Sequence, residues 1–238
     1  MAVTFTKDLA NYATFGIHGL GSLLNGSDGV SVSFAFKVTS LSGGGDDIVY
    51  IWMNDSTFIL RVFFNGTAIE CDCKSSVADT FPTTQLGVNN RDDGKWHFQS
   101  FGHDLVSGDG AVFSDGVGSQ GAGSFPDSAF ATVPPTTNYD SLGSRGGTPV
   151  PTSTNRQFDG LLAHFAIWDT YLSRGELQSL GSGYDPLLIR PSRRIYYLPL
   201  NRDKLDGANR SDPLTFTGSL PFVDSPTNFK ANNPPQYA

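Results

Sequence analysis

The sequence predicts a single all-β domain, a two-sheet antiparallel β-sandwich with one short helix. Three observations carry this reading. Stretches with apolar side chains at every second position recur along the whole 238-residue chain. The residues between them are turn formers: 27 Gly, 14 Pro, and acids that are nearly all Asp, since Glu70 and Glu176 are the only glutamates. One segment alone carries a helix-start signal. Charged residues make up only 16% and aromatics reach 12%, which argues against a helical bundle, a coiled coil or a disordered chain. A chain of this length buries enough surface to form a core without a disulfide or a metal.

The elements follow in order. Val30 to Val38 alternates apolar with small or polar side chains, the mark of a half-buried strand. Ser42 to Asp47 is a loop, Ile48 to Met53 a strand, and Asn54-Asp55-Ser56 a turn. Thr57 to Phe64 is β-rich, Asn65-Gly66 signals a hairpin, and Thr67 to Cys73 is the return strand. Asp92-Asp93-Gly94 turns the chain into a strand from Lys95 to Phe101. Ala111 to Ser114 leads into a further hairpin turn at Asp115-Gly116.

Residues 118–157 are rich in Gly, Pro, Ser and Thr and read as surface loops around a short apolar piece at Ser141-Leu142-Gly143. Phe158 to Trp168 is a long apolar strand. Ser173 and Glu176 have the spacing of a capping box, so a short helix should run from Glu176 to Leu180. Tyr196 to Leu200 is a late strand. No linker divides residues 1–224, which read as one domain; residues 225–238 read as an extended, Pro-rich tail.

The formal net charge is -7, which disfavours nucleic acid as a partner. The basic run from Arg190 to Arg194 is broken by Pro191 and reads as a solvated connection. No stretch approaches the ~20 apolar residues of a membrane helix, so no membrane insertion is expected. Residues Met1 to Leu9 lack the apolar centre of a signal peptide. Cys71 and Cys73 would point to one face of a strand at the outer limit for a bridge, and read as two small, partly buried residues.

Several of these segments resemble one family. Asp93-Gly94-Lys95-Trp96-His97 is similar to the DGkWH segment of laminin-G-like, concanavalin A-like jelly rolls, and Phe113 to Val117 to the Asp-Gly hairpin that follows it. Phe158 to Trp168, Leu172 to Leu177, Tyr197 to Leu200 and Leu214 to Gly218 resemble later strands and the helix of that family. The resemblance spans roughly residues 85–220 and implies a jelly-roll sandwich. Its motifs are structural, and the fold hosts lectins, enzymes, adhesion modules and virion parts.

Catalysis is disfavoured, and the protein is expected not to be an enzyme. Laminarinase-type members carry a Glu-x-Asp-x-x-Glu strand, which is absent here. Glu70 and Asp72 could share one strand face, which reads as solvated, and Glu176 is explained as a cap. His18, His97, His103 and His164 are scattered, and His97 reads as structural. The resemblance implies calcium as the cofactor to consider; the candidate ligands are Asp46, Asp47, Asn90 and Asp92. Tyr50, Trp52 and Tyr139 are the candidate stacking residues for a glycan.

The function expected from this resemblance is that of a non-catalytic virion surface protein, a phage capsid decoration or fibre-type component. Its partners would be other virion proteins, copies of itself and cell-surface glycans. A chain that reaches the outside by lysis needs no export signal. The alternative is a carbohydrate-binding lectin or adhesion module, extracellular rather than on a virion. A polysaccharide-degrading enzyme ranks below both.

Overall fold

A computed structural model of the protein describes residues 2–7, 12–15, 20–41, 45–52, 58–73, 86–88, 91–104, 106–122, 140–144, 156–199, 215–217 and 222–223. In chain order the strands are β1 (Ala2–Phe5), β2 (Tyr12–Thr14), β3 (Gly29–Ser40), β4 (Asp47–Trp52), β5 (Phe58–Asn65), β6 (Ala68–Cys73), β7 (Leu86–Val88) and β8 (Trp96–Asp104). They continue with β9 (Asp109–Ser114), β10 (Val117–Ala122), β11 (Ser141–Leu142), β12 (Asp159–Trp168), β13 (Arg194–Leu198), β14 (Thr215–Thr217) and β15 (Phe222–Val223). A one-turn helix α1 (Leu20–Leu23) precedes β3. The longer helix α2 (Arg174–Gly181) and a 3-10 turn at Pro186–Leu188 lie between β12 and β13.

The strands form two sheets. The first has the order β10-β9-β8-β3-β12-β1-β15, with β13 also paired to β12; the second has the order β14-β2-β11-β4-β5-β6-β7. Neighbouring strands are antiparallel throughout. The period-2 pattern decides which side chains meet between the sheets. Val30, Val32, Phe34, Phe36 and Val38 of β3 join Val49 and Ile51 of β4, Leu60, Val62 and Phe64 of β5, and Cys71 and Cys73 of β6 in one buried cluster. This is an antiparallel two-sheet jelly-roll sandwich.

Turn chemistry sets the hairpin registers. Ser114 pairs with Val117, leaving Asp115 and Gly116 as a two-residue loop with φ of 52° and 79°. Positive φ at both positions is the type I′ pattern, which follows the right-handed twist of the flanking strands. Asn65 pairs with Ala68, so the β5–β6 loop is Gly66-Thr67, one residue later than the Asn65-Gly66 signal suggests.

Strand β3 departs from the half-buried expectation: its outer face is covered too. A second buried cluster of Phe113, Trp168, Leu172, Leu177, Leu180, Ile189 and Tyr197 packs over the first sheet. The capping box forms as expected: Ser173 accepts the Glu176 amide, and the Glu176 carboxylate accepts the Ser173 amide at 2.8 Å. That carboxylate also binds Arg190 at 2.7 Å, so one residue of the basic run holds the helix rather than only meeting water. The predicted turn at Asn54 to Ser56 and the tail 225–238 lie outside the described residues.

Candidate functional site

At one end of the sandwich the start of β3 meets the end of β8, because Gly29 pairs with Asp104. The connection from β12 to α2 crosses the same corner. Together they line an open cleft of about 250 Å³ formed by Asp28, Gly29, Asp104, Val106, Thr170 and Tyr171. Val106 is 64% exposed at its edge.

Tyr171 is held in place from several sides. A Cβ on Gly29 would fall 2.6 Å from the Tyr171 amide nitrogen, so only glycine lets that backbone approach. A Cβ on Gly102 would fall 2.9 Å from Cδ2 of the Tyr171 ring, so the bare backbone there leaves room for the aromatic ring. Ser31 brackets the residue: its hydroxyl donates to the Thr170 carbonyl at 2.9 Å and accepts the Leu172 amide at 2.9 Å. The residue is half-buried, and these contacts position both its backbone and its ring.

The corner is acidic. Burial works against ionisation of Asp104, but hydrogen bonds from the Ser107 hydroxyl and the Val106 and Ser107 amides keep its carboxyl below the usual range. Burial, then the Asp109 and Asp104 carboxylates, raise the Tyr171 phenol above its ordinary value, while Arg174 pulls it down. The open space is thus lined by an aromatic residue, a threonine and two carboxylate side chains. That combination suits a polyol with an apolar ring face.

A second polar group lies on the outer face of the second sheet. Arg61 donates from Nε to Oδ1 of Asp47 at 2.6 Å, lies 3.7 Å from Asp72, and stacks its guanidinium 3.6 Å from the Phe63 ring centre. Glu70 and Asp72 do share a face, but that face is not solvated: they are 8% and 3% exposed. Burial raises the Glu70 carboxyl, against a hydrogen bond from Asn65 and the charge of Arg61. Arg61 ties the acids on both sides of it into a structural ion-pair group rather than leaving a pair open to substrate. Cys71 and Cys73 face the core and form no disulfide.

His97 joins the two Asp-Gly turns. Its Nδ1 lies 2.7 Å from Asp115 and its Nε2 2.9 Å from Asp93. Arg91 adds a contact to Asp115 at 3.4 Å and donates to the Ser114 hydroxyl at 2.7 Å. The histidine is therefore committed to the fold.

The residues proposed from sequence do not gather into one site. Tyr50 is 2% exposed and offers no stacking face: the outer side of β4, where it sits in register with Arg61 and Ser141, is itself covered. Trp52 ends β4, and Tyr139 lies outside the described residues. Of the proposed calcium ligands, Asp46 and Asp47 are buried and Asp47 is engaged by Arg61, while Asp92 is exposed. Asn90 lies outside the described residues. Among the described residues no three His, Cys, Asp or Glu side chains are grouped to hold a metal ion. Sequence reading passed over Tyr171; the local signal was its place in the short connection between the apolar strand and the capping box.

No protein-family model matches the chain, and no curated protein does. Solved structures do. A heptameric SAP-like pentraxin from Limulus polyphemus superposes with a TM-score of 0.62 at 11% identity, over 92% of each chain. A Bacteroides ovatus protein assigned to carbohydrate binding gives 0.61 at 14% identity, over 96% of this chain and 61% of that one. The CBM40 module of a Ruminococcus gnavus IT-sialidase gives 0.55 at 11% identity, over 76% of this chain and 96% of the module. At these identities the likeness is one of fold.

Proposed function

We propose that the protein is a non-catalytic carbohydrate-binding module of the lectin type, with its sugar site in the cleft between Asp28, Asp104 and Tyr171. The observation that carries this is the half-buried Tyr171, its ring against Gly102 and its backbone bracketed by Ser31, at an open cleft. An aromatic face packs against the C–H face of a sugar, and carboxylates and hydroxyls accept its hydroxyl protons. Two structural neighbours add support, since one is assigned to carbohydrate binding and the CBM40 module has also been solved with α2,3-sialyllactose bound. On the buried outer face of the second sheet Asp72 lies against Arg61 and Glu70 accepts a hydrogen bond from Asn65, which favours binding over glycoside hydrolysis.

The neighbours lend no support to a place on a virion, so glycan recognition is the preferred reading. A glycan array probed with the full chain tests it. The expected result is binding to at least one glycan that Tyr171→Ala abolishes without loss of folding. A chelator arm shows whether calcium contributes. An array with no hit, or hits that Tyr171→Ala leaves intact, overturns the assignment of this site.

A further inference from the structure

The cleft beside Tyr171 has a strongly one-sided charge, and this bears on the class of glycan it takes; the inference rests on the glycan-binding reading above. Asp28 and Asp104 line the cleft. Asp109 and Asp104 act electrostatically on the Tyr171 phenol, and the one cation among its named influences is Arg174. The Asp104 carboxyl is held ionised by three donors from its own turn. The remaining lining groups are Gly29, Val106 and Thr170, none of which carries a charge.

An anionic sugar such as a sialic acid or a uronate would bring a further carboxylate to this corner. Like charges brought together in a partly desolvated site repel, and no lining residue offers a cation to offset them. A neutral sugar avoids the repulsion but gains nothing from the field. A sugar bearing an ammonium group gains from it, because its charge is attracted by the two carboxylates that line the cleft. We propose that the cleft selects protonated amino sugars, glucosamine-type units with a free amine, over neutral and acidic ones.

The test is a titration of the full chain with three probes at mildly acidic pH, where the amines are charged. They are a glucosamine oligomer, the same oligomer fully N-acetylated, and 3′-sialyllactose. The expected result is binding of the free-amine oligomer about tenfold tighter than the acetylated one, with the gap narrowing at high salt. Asp28→Asn, at an exposed position, should narrow the same gap, and Tyr171→Ala should weaken both oligomers. Equal or tighter binding of the acetylated oligomer or of sialyllactose overturns the inference and leaves the glycan reading standing. An oligolysine peptide that binds as tightly as the amino sugar also overturns it, because the corner then attracts any cation. If no sugar binds, both the inference and the glycan reading fall.

Discussion

The imidazole Nδ1 of His97 and the Asp115 carboxylate lie 2.7 Å apart, which couples the strand that follows one Asp-Gly turn to the tip of the next hairpin. On its other side the same ring meets Asp93 at 2.9 Å. A neutral imidazole has one N–H, so only the doubly protonated ring donates to both carboxylates. The Asp115 carboxylate also accepts the Phe98 amide at 3.0 Å. The family-like DGkWH segment is thus a clamp, and its histidine has a structural reason to be there.

Burial depresses the His97 pKa, but the Asp115 and Asp93 carboxylates outweigh it and hold the ring above its ordinary value. A group raised on folding stabilises the protein fully below its unfolded pKa of about 6.5, and that contribution is lost as pH rises through the folded value. His97→Gln should therefore lower the urea midpoint more at mildly acidic pH than at alkaline pH. The His97 ring signals in an NMR titration should shift at higher pH than a free histidine. Asp115→Asn, which removes a charged acceptor, should cost about 1.5–3 kcal/mol. A pH-independent loss in His97→Gln would show that the ring acts by packing alone.

Arg61 and its acids predict two opposite effects. Asp47 is fully buried against Arg61, so Arg61→Met leaves a buried carboxylate without that cation and should cost about 3–5 kcal/mol. Asp47→Asn in the same chain should recover part of the loss. Glu70 behaves differently, because its pKa is raised by burial. Its contribution is present below the unfolded value and declines as pH rises through the folded one. Glu70→Gln keeps an acceptor for Asn65, removes the charge, and should stabilise the protein at neutral pH. Urea melts of the three variants across pH separate these outcomes.

Long strands were legible because one face repeats over many residues. Val30 to Val38, Trp96 to Phe101 and Phe158 to Trp168 each carry enough alternation to announce themselves. Strands β1, β2, β7, β14 and β15 have two to four residues and no room for a period, so pairing with longer neighbours defines them. The site was less legible still. Tyr50 follows the outward register, and nothing local says that this outer face is covered. Tyr171 owes its placement to Gly29, Ser31 and Gly102, which are remote in sequence and come together only through the β3–β8 pairing.

Helix α2 covers the first sheet and stands on its capping box. Ser173→Ala removes the acceptor for the Glu176 amide and should cost about 1 kcal/mol. Burial opposes ionisation of Glu176, but Arg190 and Ser173 together hold its carboxyl below the usual range. Its contribution is present above the unfolded pKa of about 4.3 and disappears as pH falls through the folded value. Glu176→Gln should therefore differ from the parent chain at neutral pH and converge with it in acid, as read by denaturant midpoints.

His103 and His164 should add to the loss of stability on the acid side. Burial pushes both imidazoles down to about 4, and for His164 a nearby positive charge adds to the effect while Asp185 opposes it. Both are neutral when folded at neutral pH, whereas the unfolded chain takes up protons on them near pH 6.5. Their contribution is thus present above about pH 6.5 and declines as pH falls towards the folded values. His103→Leu should flatten the loss of stability in that window, and two histidine signals should titrate far below the His97 signal. His164 also sits at φ 54°, in the bulge between Ala163 and Ala166, with Nδ1 2.8 Å from the Tyr197 hydroxyl. A β-branched residue tolerates that backbone poorly, so His164→Val should cost about 1–3 kcal/mol, and His164→Asn, which accepts positive φ more readily, should cost less. Equal losses in the two variants would place the cost in the lost Tyr197 contact instead of the backbone.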